Sequence, residues 1–398
     1  MQPGKSAAPA WRTPGVLSRG TVLAAATLTI MAPAIIAPSL PMMEQVFADQ
    51  RGASLLVRLA LTITSLTVAL TAPFAGLAAD RFGRRSLLLT SLVLYAVSGT
   101  AGYFLGDLVL LLVSRAVLGV AVAGVMTAVN AIIADWFDGP ARTSFLGLQQ
   151  VFASLSGVVL LPLAGLLATV GWRVPFWLYT TAALVAVAAL VAVRDRPTTA
   201  APPSERHGRA FTGGVLGLYV LALVATMAFY MAPTQIPFLL AAQGNGPVLV
   251  GVVVACSTLA STIGGFAFPS VRDKLSSGAV TVLCVALLGS GWLLIGLTGS
   301  VAGTSAGLFA GGLGVGLAIP NLTLRLSDVA PPAWRGRVLS GLVSGIFLGQ
   351  FLSPLLVQPL IASTGVGAAF TWSGVAMIAG AVVAGFSLRS TTFERTTR

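Results

Sequence analysis

The sequence predicts an all-α membrane protein in which twelve transmembrane helices form two pseudo-symmetric bundles of six. Hydrophobic residues make up 56% of its 398 residues and charged residues only 9%, whereas an ordinary soluble domain carries about 25% charged residues. The stretches 210–271, 275–324 and 338–388 contain no Asp, Glu, Lys or Arg. Since one helical span takes roughly 20 apolar residues, each stretch is long enough for two spans. Continuously apolar segments also favour helices over the alternating strands of a membrane barrel.

The apolar segments divide the chain into two sets of six spans. The first set is predicted at 21–43, 59–79, 86–105, 108–134, 144–170 and 174–193, and the second at 211–242, 248–269, 279–298, 302–324, 338–361 and 366–388. These sets give a first bundle at 21–193 and a second at 211–388, joined by a charged, proline-containing linker at 194–210. Polar tails are expected at 1–20 and 389–398. The apolar run after the first tail is longer than the core of a signal peptide, which predicts an uncleaved first span.

The basic residues predict the orientation, because cytoplasmic loops retain Lys and Arg. With the N-terminus inside, Arg51 and Arg173 lie outside, Arg58 and Arg115 fall within or at the edge of spans, and the other 19 of the 23 face the cytoplasm. Both termini are therefore expected on the cytoplasmic side of a bacterial inner membrane. The net charge of +12 then indicates contact with anionic membrane lipid. Nucleic-acid binding is not expected, since the sequence has no soluble basic domain.

The two halves repeat one another at an offset of 193 residues. Equivalent charges recur at this offset: Asp80 and Arg81 with Asp273 and Lys274, Asp135 with Asp328, and Arg142 with Arg335. These charges fall at the cytoplasmic ends of equivalent predicted helices. The pattern indicates a duplicated six-helix unit, of the kind that many transporters use, although cytoplasmic loops attract such residues in any case.

The loop after the second predicted span, residues 76–85, reads GLAADRFGRR. Its arginines alone could serve only to orient the chain. Asp80, however, stands at a helix end beside glycines that permit another helix to approach closely. A carboxylate there could accept hydrogen bonds from the N-terminus of that helix, whose dipole favours an anion. This loop is therefore predicted to act as a latch that closes the cytoplasmic side in one conformation and opens in the other.

The loop resembles the signature G-x-L-x-D-R-x-G-R-R/K of the major facilitator superfamily, with Ala78 replacing the usual Leu. Span count, duplication and central linker are similar as well, so the resemblance covers the whole chain. It implies a transporter that works by alternating access, normally as a monomer, with a small-molecule substrate. The implied latch comprises Gly76, Asp80, Arg81, Gly83, Arg84, Arg85, Asp135, Arg142, Asp273, Asp328 and Arg335.

Two further patterns are similar to the drug-proton antiporters of bacteria. Arg115 begins the segment RAVLG about 10 Å inside the fourth span, where an arginine should face a polar interior rather than lipid. In related antiporters an arginine here is linked to proton transfer. In the fifth span Pro162 and Gly165 fit the pattern Gly-Pro-x-x-Gly-Gly, whereas Leu161 and Leu166 replace two of its glycines.

A buried carboxylate is suited to carry a proton, because burial disfavours its charged form. Few carboxylates of this sequence are placed to be buried. The second half has none inside a predicted span. The candidates are Glu44 and Asp49 near the outer end of the first span, Asp107, and Asp80 and Asp135 on the inner side. Each could equally be a solvated boundary residue, which is the interpretation favoured for Asp49 and Asp107. Glu44 could instead pair with Arg58 at the start of the second span. Protons, moved with the help of Arg115 and Glu44, are thus the expected coupling ion.

The resemblance also implies a central cavity lined mainly by the first, fourth, seventh and tenth spans. Its polar and aromatic candidates are Asn130, Gln149, Gln150, Tyr230, Thr234, Gln235, Asn321 and Gln350. Isolated amides in membrane helices also serve simply as interhelical hydrogen bonds. Helix bends are expected at Pro162, Pro233 and Pro237, which makes the seventh span a gate.

The predicted function is secondary-active, proton-coupled efflux of small hydrophobic or weakly charged organic compounds. Walls almost free of charge suit such solutes. Proton-coupled import of a metabolite is the alternative within transport, because fold alone does not give direction, and a non-transporting sensor or scaffold is the alternative outside it. No enzyme, metal or cofactor is expected: the sequence has no Walker-type loop, and its single histidine, His207, lies in the linker.

Overall fold

The computed structural model describes residues 14–194, 213–330 and 334–396, with the side chains of 335–337 and 386–396 outside that description. Within these residues, twelve helices are long and apolar enough to cross a membrane, and no strand occurs. The predicted all-α fold of twelve spans is confirmed. Most of the predicted first tail (1–13) and linker (195–210) lies outside the described residues.

The helices are numbered as spans 1 to 12. The first half contains Val16–Val46, Ala53–Phe82, Arg84–Phe104, Leu108–Trp136, Gly139–Ala168 and Val174–Ala192 as spans 1 to 6. The second half contains Gly213–Ala242, Pro247–Lys274, Ser277–Thr298, Val301–Val329, Arg335–Thr364 and Val366–Thr396 as spans 7 to 12. We call the end that carries Arg81, Arg84, Arg142 and Arg272 the basic end, and the end that carries Glu44, Asp107 and Arg173 the opposite end.

Most helices run beyond the bounds predicted from apolarity. Span 1 begins at Val16 rather than at 21, span 8 continues through Pro269 to Lys274, and span 12 continues to Thr396, past the predicted boundary at 388. Charged residues mark the edge of the hydrocarbon core, but they remain compatible with a helix outside it. The loss of hydrophobicity therefore marks where a helix leaves the membrane better than it marks where the helix ends.

Spans 1 and 7 are both broken, at equivalent positions. Span 1 consists of a helix to Ala34, a 3₁₀ turn at Ala37–Ser39 and a short helix at Leu40–Val46. Span 7 is interrupted at Tyr230, which lies 193 residues after Ala37. In each case a proline follows the break: it lacks an N–H group, and its ring crowds the carbonyl four residues earlier. The seventh span thus bends ahead of Pro233, near its opposite-end third.

Within the second half, glycines bring spans 8, 9 and 10 close together. A Cβ added at Gly307 would collide with the carbonyl of Gly291, and one at Gly312 or Gly316 would collide with the backbone of span 8. These glycines belong to a glycine-rich stretch of span 10 that could be mistaken for a nucleotide-binding loop. Their role in the structure is close helix packing.

Candidate functional site

The two halves meet along two seams, which join span 5 to span 8 and span 2 to span 11. On the first seam, Gly165 lies against the carbonyl of Pro247, and Gly251 lies against the carbonyl of Leu161. Any side chain larger than glycine would separate these helices. The glycines of the fifth-span pattern, and Pro162 beside Leu161, therefore lie at the contact with the second half.

On the second seam, polar side chains join span 2 to span 11. Ser54 Oγ accepts a hydrogen bond from Gln358 Nε2 at 3.1 Å, and Ser65 Oγ bonds Gln350 Oε1 at 2.7 Å. The side chain of Tyr230, at the break in span 7, also lies beside Ser65. Two of the predicted cavity residues, Tyr230 and Gln350, thus lie near the same serine.

The seams do not continue to the basic end. Beyond Ser65, Gly76 lies on the same face of span 2, and a Cβ added there would meet no atom within 4 Å. Most of the first turns of span 5, from Ala141 to Gln150, are exposed as well. The halves therefore touch in the middle and at the opposite end, and diverge toward the basic end.

A buried arginine closes the opposite end. Arg58 of span 2 is only 4% exposed; its Nη1 donates to Glu44 Oε1 at 3.1 Å and to both the carbonyl and the hydroxyl of Ser54. Its Nε donates to Gln235 Oε1 of span 7 at 3.1 Å, and its guanidinium lies 3.7 Å from the centre of the Phe238 ring. One side chain thus ties spans 1 and 2 to span 7 of the other half.

The chemistry of this cluster explains why the charge is tolerated. A buried arginine is costly unless its donors are satisfied and its charge is paired, and Arg58 has an ion pair, three further acceptors and an aromatic face. The alternative pairing of Glu44 with Arg58 is the arrangement found. Gln235 is fully buried, and its Nε2 has no hydrogen-bond partner among the described residues. A buried donor therefore remains unsatisfied within the gate.

At the basic end, the predicted latch is only partly assembled. Gly83 ends span 2 with φ 87° and ψ 152°, a conformation essentially restricted to glycine, so the tight turn requires it. Arg84 forms an ion pair with Asp135, and Arg85 Nη2 donates to the carbonyl of Leu190 at 2.6 Å. These contacts stay inside the first half.

The residues expected to reach across the halves lie apart in this conformation. Asp80 and Arg81 are exposed, and a Cβ at Gly76 would meet no atom within 4 Å. Arg142, Asp273 and Asp328 are also exposed, while the side chain of Arg335 lies outside the described residues. The open space at Gly76 matches the divergence of the halves at this end.

Arg115 lies inside the first bundle. It is 1% exposed, its Nη2 donates to the carbonyls of Ser98 and Gly99, and its guanidinium lies 4.9 Å from the ring centres of both Phe176 and Tyr179. No carboxylate pairs with it among the described residues. The interior that it faces is therefore made of span 3 carbonyls and span 6 aromatic rings.

The other predicted cavity residues are dispersed. Thr234 is fully buried and bonds only carbonyls of its own helix, whereas Asn130 and Gln150 are exposed, the latter bonded to Ser154. Gln149 Oε1 is buried without a partner among the described residues. Asn321 lies in a separate cavity of the second bundle, described below. Pro162 and Pro237 lie inside continuous helices.

Several gate residues escaped the sequence analysis, namely Ser54, Ser65, Phe238 and Gln358. Serine and phenylalanine are ordinary in apolar spans, so no signal distinguishes them. Gln358 does give a signal in the sequence, because an isolated amide in an otherwise apolar span is expected to form a hydrogen bond with another helix.

Two six-helix bundles that meet at one end and diverge at the other are an architecture that many membrane transporters share. The chain belongs to the Major Facilitator Superfamily, whose family model matches residues 22–354. The Bacillibactin exporter of Bacillus subtilis is 27% identical over 348 residues, covering 82% of this chain and 85% of that protein. The 3-(3-hydroxy-phenyl)propionate transporter of Escherichia coli is 24% identical, covering 78% and 72%. The fold is similar to the inward-open xylose transporter XylE from E. coli, with a TM-score of 0.74, 17% identity and coverage of 92% and 94%.

Proposed function

We propose that this chain exports small hydrophobic or weakly charged organic compounds by alternating access, in exchange for protons. The observation that carries the proposal is the Arg58 gate, which joins both halves at one end while the other end is open. A bundle pair held in this way presents its central path to one side of the membrane only. The proposal places the basic end in the cytoplasm of a bacterial inner membrane, with a monomer as the working unit.

The composition of the spans supports an apolar substrate. Among the charged residues of the described spans, Arg58, Glu44 and Arg115 are each committed to protein contacts. Few fixed charges are left to neutralise an ionic solute such as a sugar phosphate or a dicarboxylate. The free Nε2 of Gln235 and the hydroxyl of Tyr230 would orient a solute that carries a carbonyl or ether oxygen.

Glu44 is the residue that we propose to couple the gate to protons. Its side chain is 30% exposed at the opposite end, whereas that of Arg58 is 5% exposed. A proton arriving from that side reaches Glu44 first and cancels the charge that Arg58 pairs with. The ion pair then weakens, the gate opens, and the solute leaves as the proton enters.

Everted membrane vesicles test both export and coupling. Respiration acidifies their interior, so an antiported solute should raise the internal pH when it is added outside, seen as recovery of the fluorescence of a quenched acridine dye. Vesicles carrying Glu44→Gln are the coupling control, and vesicles without the protein are the blank. No recovery across a broad panel of hydrophobic fluorescent compounds, with no difference in their accumulation by intact cells, would reject the proposal.

Import by proton symport is the second candidate, supported by the similarity to a protein named as a transporter of 3-(3-hydroxy-phenyl)propionate. In de-energised cells, where the added solute gradient drives transport, a symporter would carry protons inward with the solute and alkalinise the medium. Under the antiport proposal the same gradient drives protons outward and acidifies the medium.

A further inference from the structure

The second bundle encloses a cavity of about 390 Å³ that lies between spans 7, 9, 10 and 12. This volume falls in the range of about 300–1,000 Å³ that small-molecule sites occupy. The described residues that line it carry no charge, and they include Val224, Thr281, Leu288, Asn321, Met377 and Gly380. It is not part of the seams between the halves, so it lies apart from the proposed export path.

The cavity is not a feature that the duplication imposes. In the first half, hydrogen bonds tie the corresponding spans together toward both ends: Ser18 Oγ donates to the carbonyl of Ala192 near the basic end, and the Tyr179 hydroxyl donates to the carbonyl of Ala32 toward the other. In the second half the equivalent seam is closed toward the opposite end, where Trp292 Nε1 donates to the carbonyl of Ala228 at 3.1 Å and the Trp292 ring packs edge-on against Phe370. On the basic-end side of Trp292 the seam opens into the cavity.

One polar group in the wall lacks its partner. Asn321 is 1% exposed, and its Nδ2 donates to the carbonyl of Ser277 and to Thr281 Oγ1 at 3.1 and 3.0 Å. Its Oδ1 has no hydrogen-bond partner among the described residues. A buried acceptor left in this way costs about 1–3 kcal/mol. The amide therefore requires a hydrogen-bond donor, and the cavity that it lines is where a donor could come from.

The surrounding charges select among donors. Arg325 Nη1 donates to Thr281 Oγ1 at 3.1 Å, so a positive charge stands one side chain behind the amide. A cationic ligand would be repelled, and no carboxylate lines the cavity to neutralise it. The acyl chains, esters and phosphodiester group of a phospholipid carry no donor. The head-group amines and hydroxyls that do are attached to a charged phosphodiester, which a cavity with an uncharged lining would exclude.

We infer that this cavity binds a neutral hydrophobic molecule with one hydroxyl group, a phenol or an alcohol that donates its hydrogen bond to Asn321 Oδ1. The apolar body fills the space beside spans 9 and 12. The ligand reaches the site from the bilayer between spans 7 and 12, where Val224 and Gly380 are exposed. Because spans 7 and 10 form part of the cavity wall, a bound ligand would stiffen the part of span 7 on the basic-end side of Tyr230.

The test compares 1-naphthol with 1-methylnaphthalene, which has nearly the same shape and no donor. Binding to purified protein in nanodiscs is measured by equilibrium dialysis against empty nanodiscs. The wild type should bind 1-naphthol saturably, about 2- to 12-fold more tightly than 1-methylnaphthalene, as one neutral hydrogen bond implies. Asn321→Leu should remove this preference.

A second pair of variants fills the space. A Cβ at Gly380 meets no atom within 4 Å, so Gly380→Phe or Gly380→Leu should fold while occupying the cavity, and should weaken binding of both compounds at least tenfold. Gly217→Phe is the matched control, because Gly217 is likewise exposed on span 7 with no neighbour within 4 Å but does not line the cavity. It should bind as the wild type does.

Three results would overturn the inference. They are a wild type without saturable binding, a folded Gly380 variant that binds normally, and an Asn321→Leu variant that still prefers 1-naphthol. A phospholipid that copurifies with the wild type, and is lost from the Gly380 variants by mass spectrometry, would also overturn it by naming a different occupant.

Discussion

Replacing Arg58 by methionine should release the opposite end of the protein. Methionine keeps much of the length and apolar bulk of the arginine but removes every donor. Two of the lost contacts cross between the halves: the hydrogen bond from Nε to Gln235 and the stacking of the guanidinium on Phe238. The remaining contacts, to Glu44 and Ser54, lie within the first half. The crossing contacts are those that must break when the gate opens, and the contact to Glu44 holds Arg58 in the position from which it makes them.

Those two contacts set the magnitude. A hydrogen bond from a charged group contributes about 1.5–3 kcal/mol, and a desolvated cation–π contact contributes roughly 0.5–2 kcal/mol. Together they favour the closed end by about 2–5 kcal/mol, and their loss should shift the closed-to-open ratio roughly 30- to 5,000-fold. If about one molecule in a hundred is open in the wild type, roughly a quarter or more should be open in the variant.

Spin labels at Asp49→Cys and Ala242→Cys, in a background without Cys256 and Cys284, would report the distance across this end by double electron–electron resonance. Arg58→Met should populate a longer distance. Arg173→Met is the control, since Arg173 lies at the same end but stacks on Trp172 and bonds the carbonyl of Leu105, both in its own half. Identical distance distributions in wild type and Arg58→Met, or an equal shift in the control, would refute the reasoning.

Three further changes test other parts of the structure. Glu44→Gln removes the charge and keeps the shape, so a pH gradient should no longer drive accumulation in proteoliposomes while solute exchange at equal pH continues. Gly83→Ala should lower the free energy of unfolding by about 1–3 kcal/mol because of the backbone conformation of Gly83. Gly76→Ala, in a helix with open space around it, should raise the free energy of unfolding by roughly 0.5–1 kcal/mol. Equal melting curves for the two variants would contradict this. Pro233→Ala should restore a helical hydrogen bond and slow transport without loss of thermal stability, and unchanged turnover would argue against a bending span.

The number and order of the spans could be predicted because long apolar runs record them directly. Two buried charges could also be singled out: Arg115, from its depth, and Arg58, from its position opposite Glu44. The cost of burying a charge makes such residues visible in a sequence. The break in span 7 was equally visible, since Pro233 has a fixed local effect on the helix that precedes it.

Side-chain neighbours could not be predicted, because helices that are apolar all round do not show which face meets which neighbour. Asn130 and Gln235 look alike as lone amides, yet the first is exposed and the second is fully buried against Arg58. Asn321 looked like a residue of the central path and lines a cavity inside the second bundle instead. The cavity on the basic-end side of Trp292 results from small side chains on several helices at once, so no single stretch of sequence predicts it.

The central claim is that the two bundles rock against each other, so that opening one end closes the other. A second label pair across the basic end, Ser144→Cys and Ser276→Cys, tests it most directly when Arg58→Met is measured at both ends of the same protein. If the bundles rock in this way, the basic-end distance shortens in the same fraction of molecules in which the opposite-end distance lengthens. A lengthening at the opposite end with no change at the basic end would contradict it.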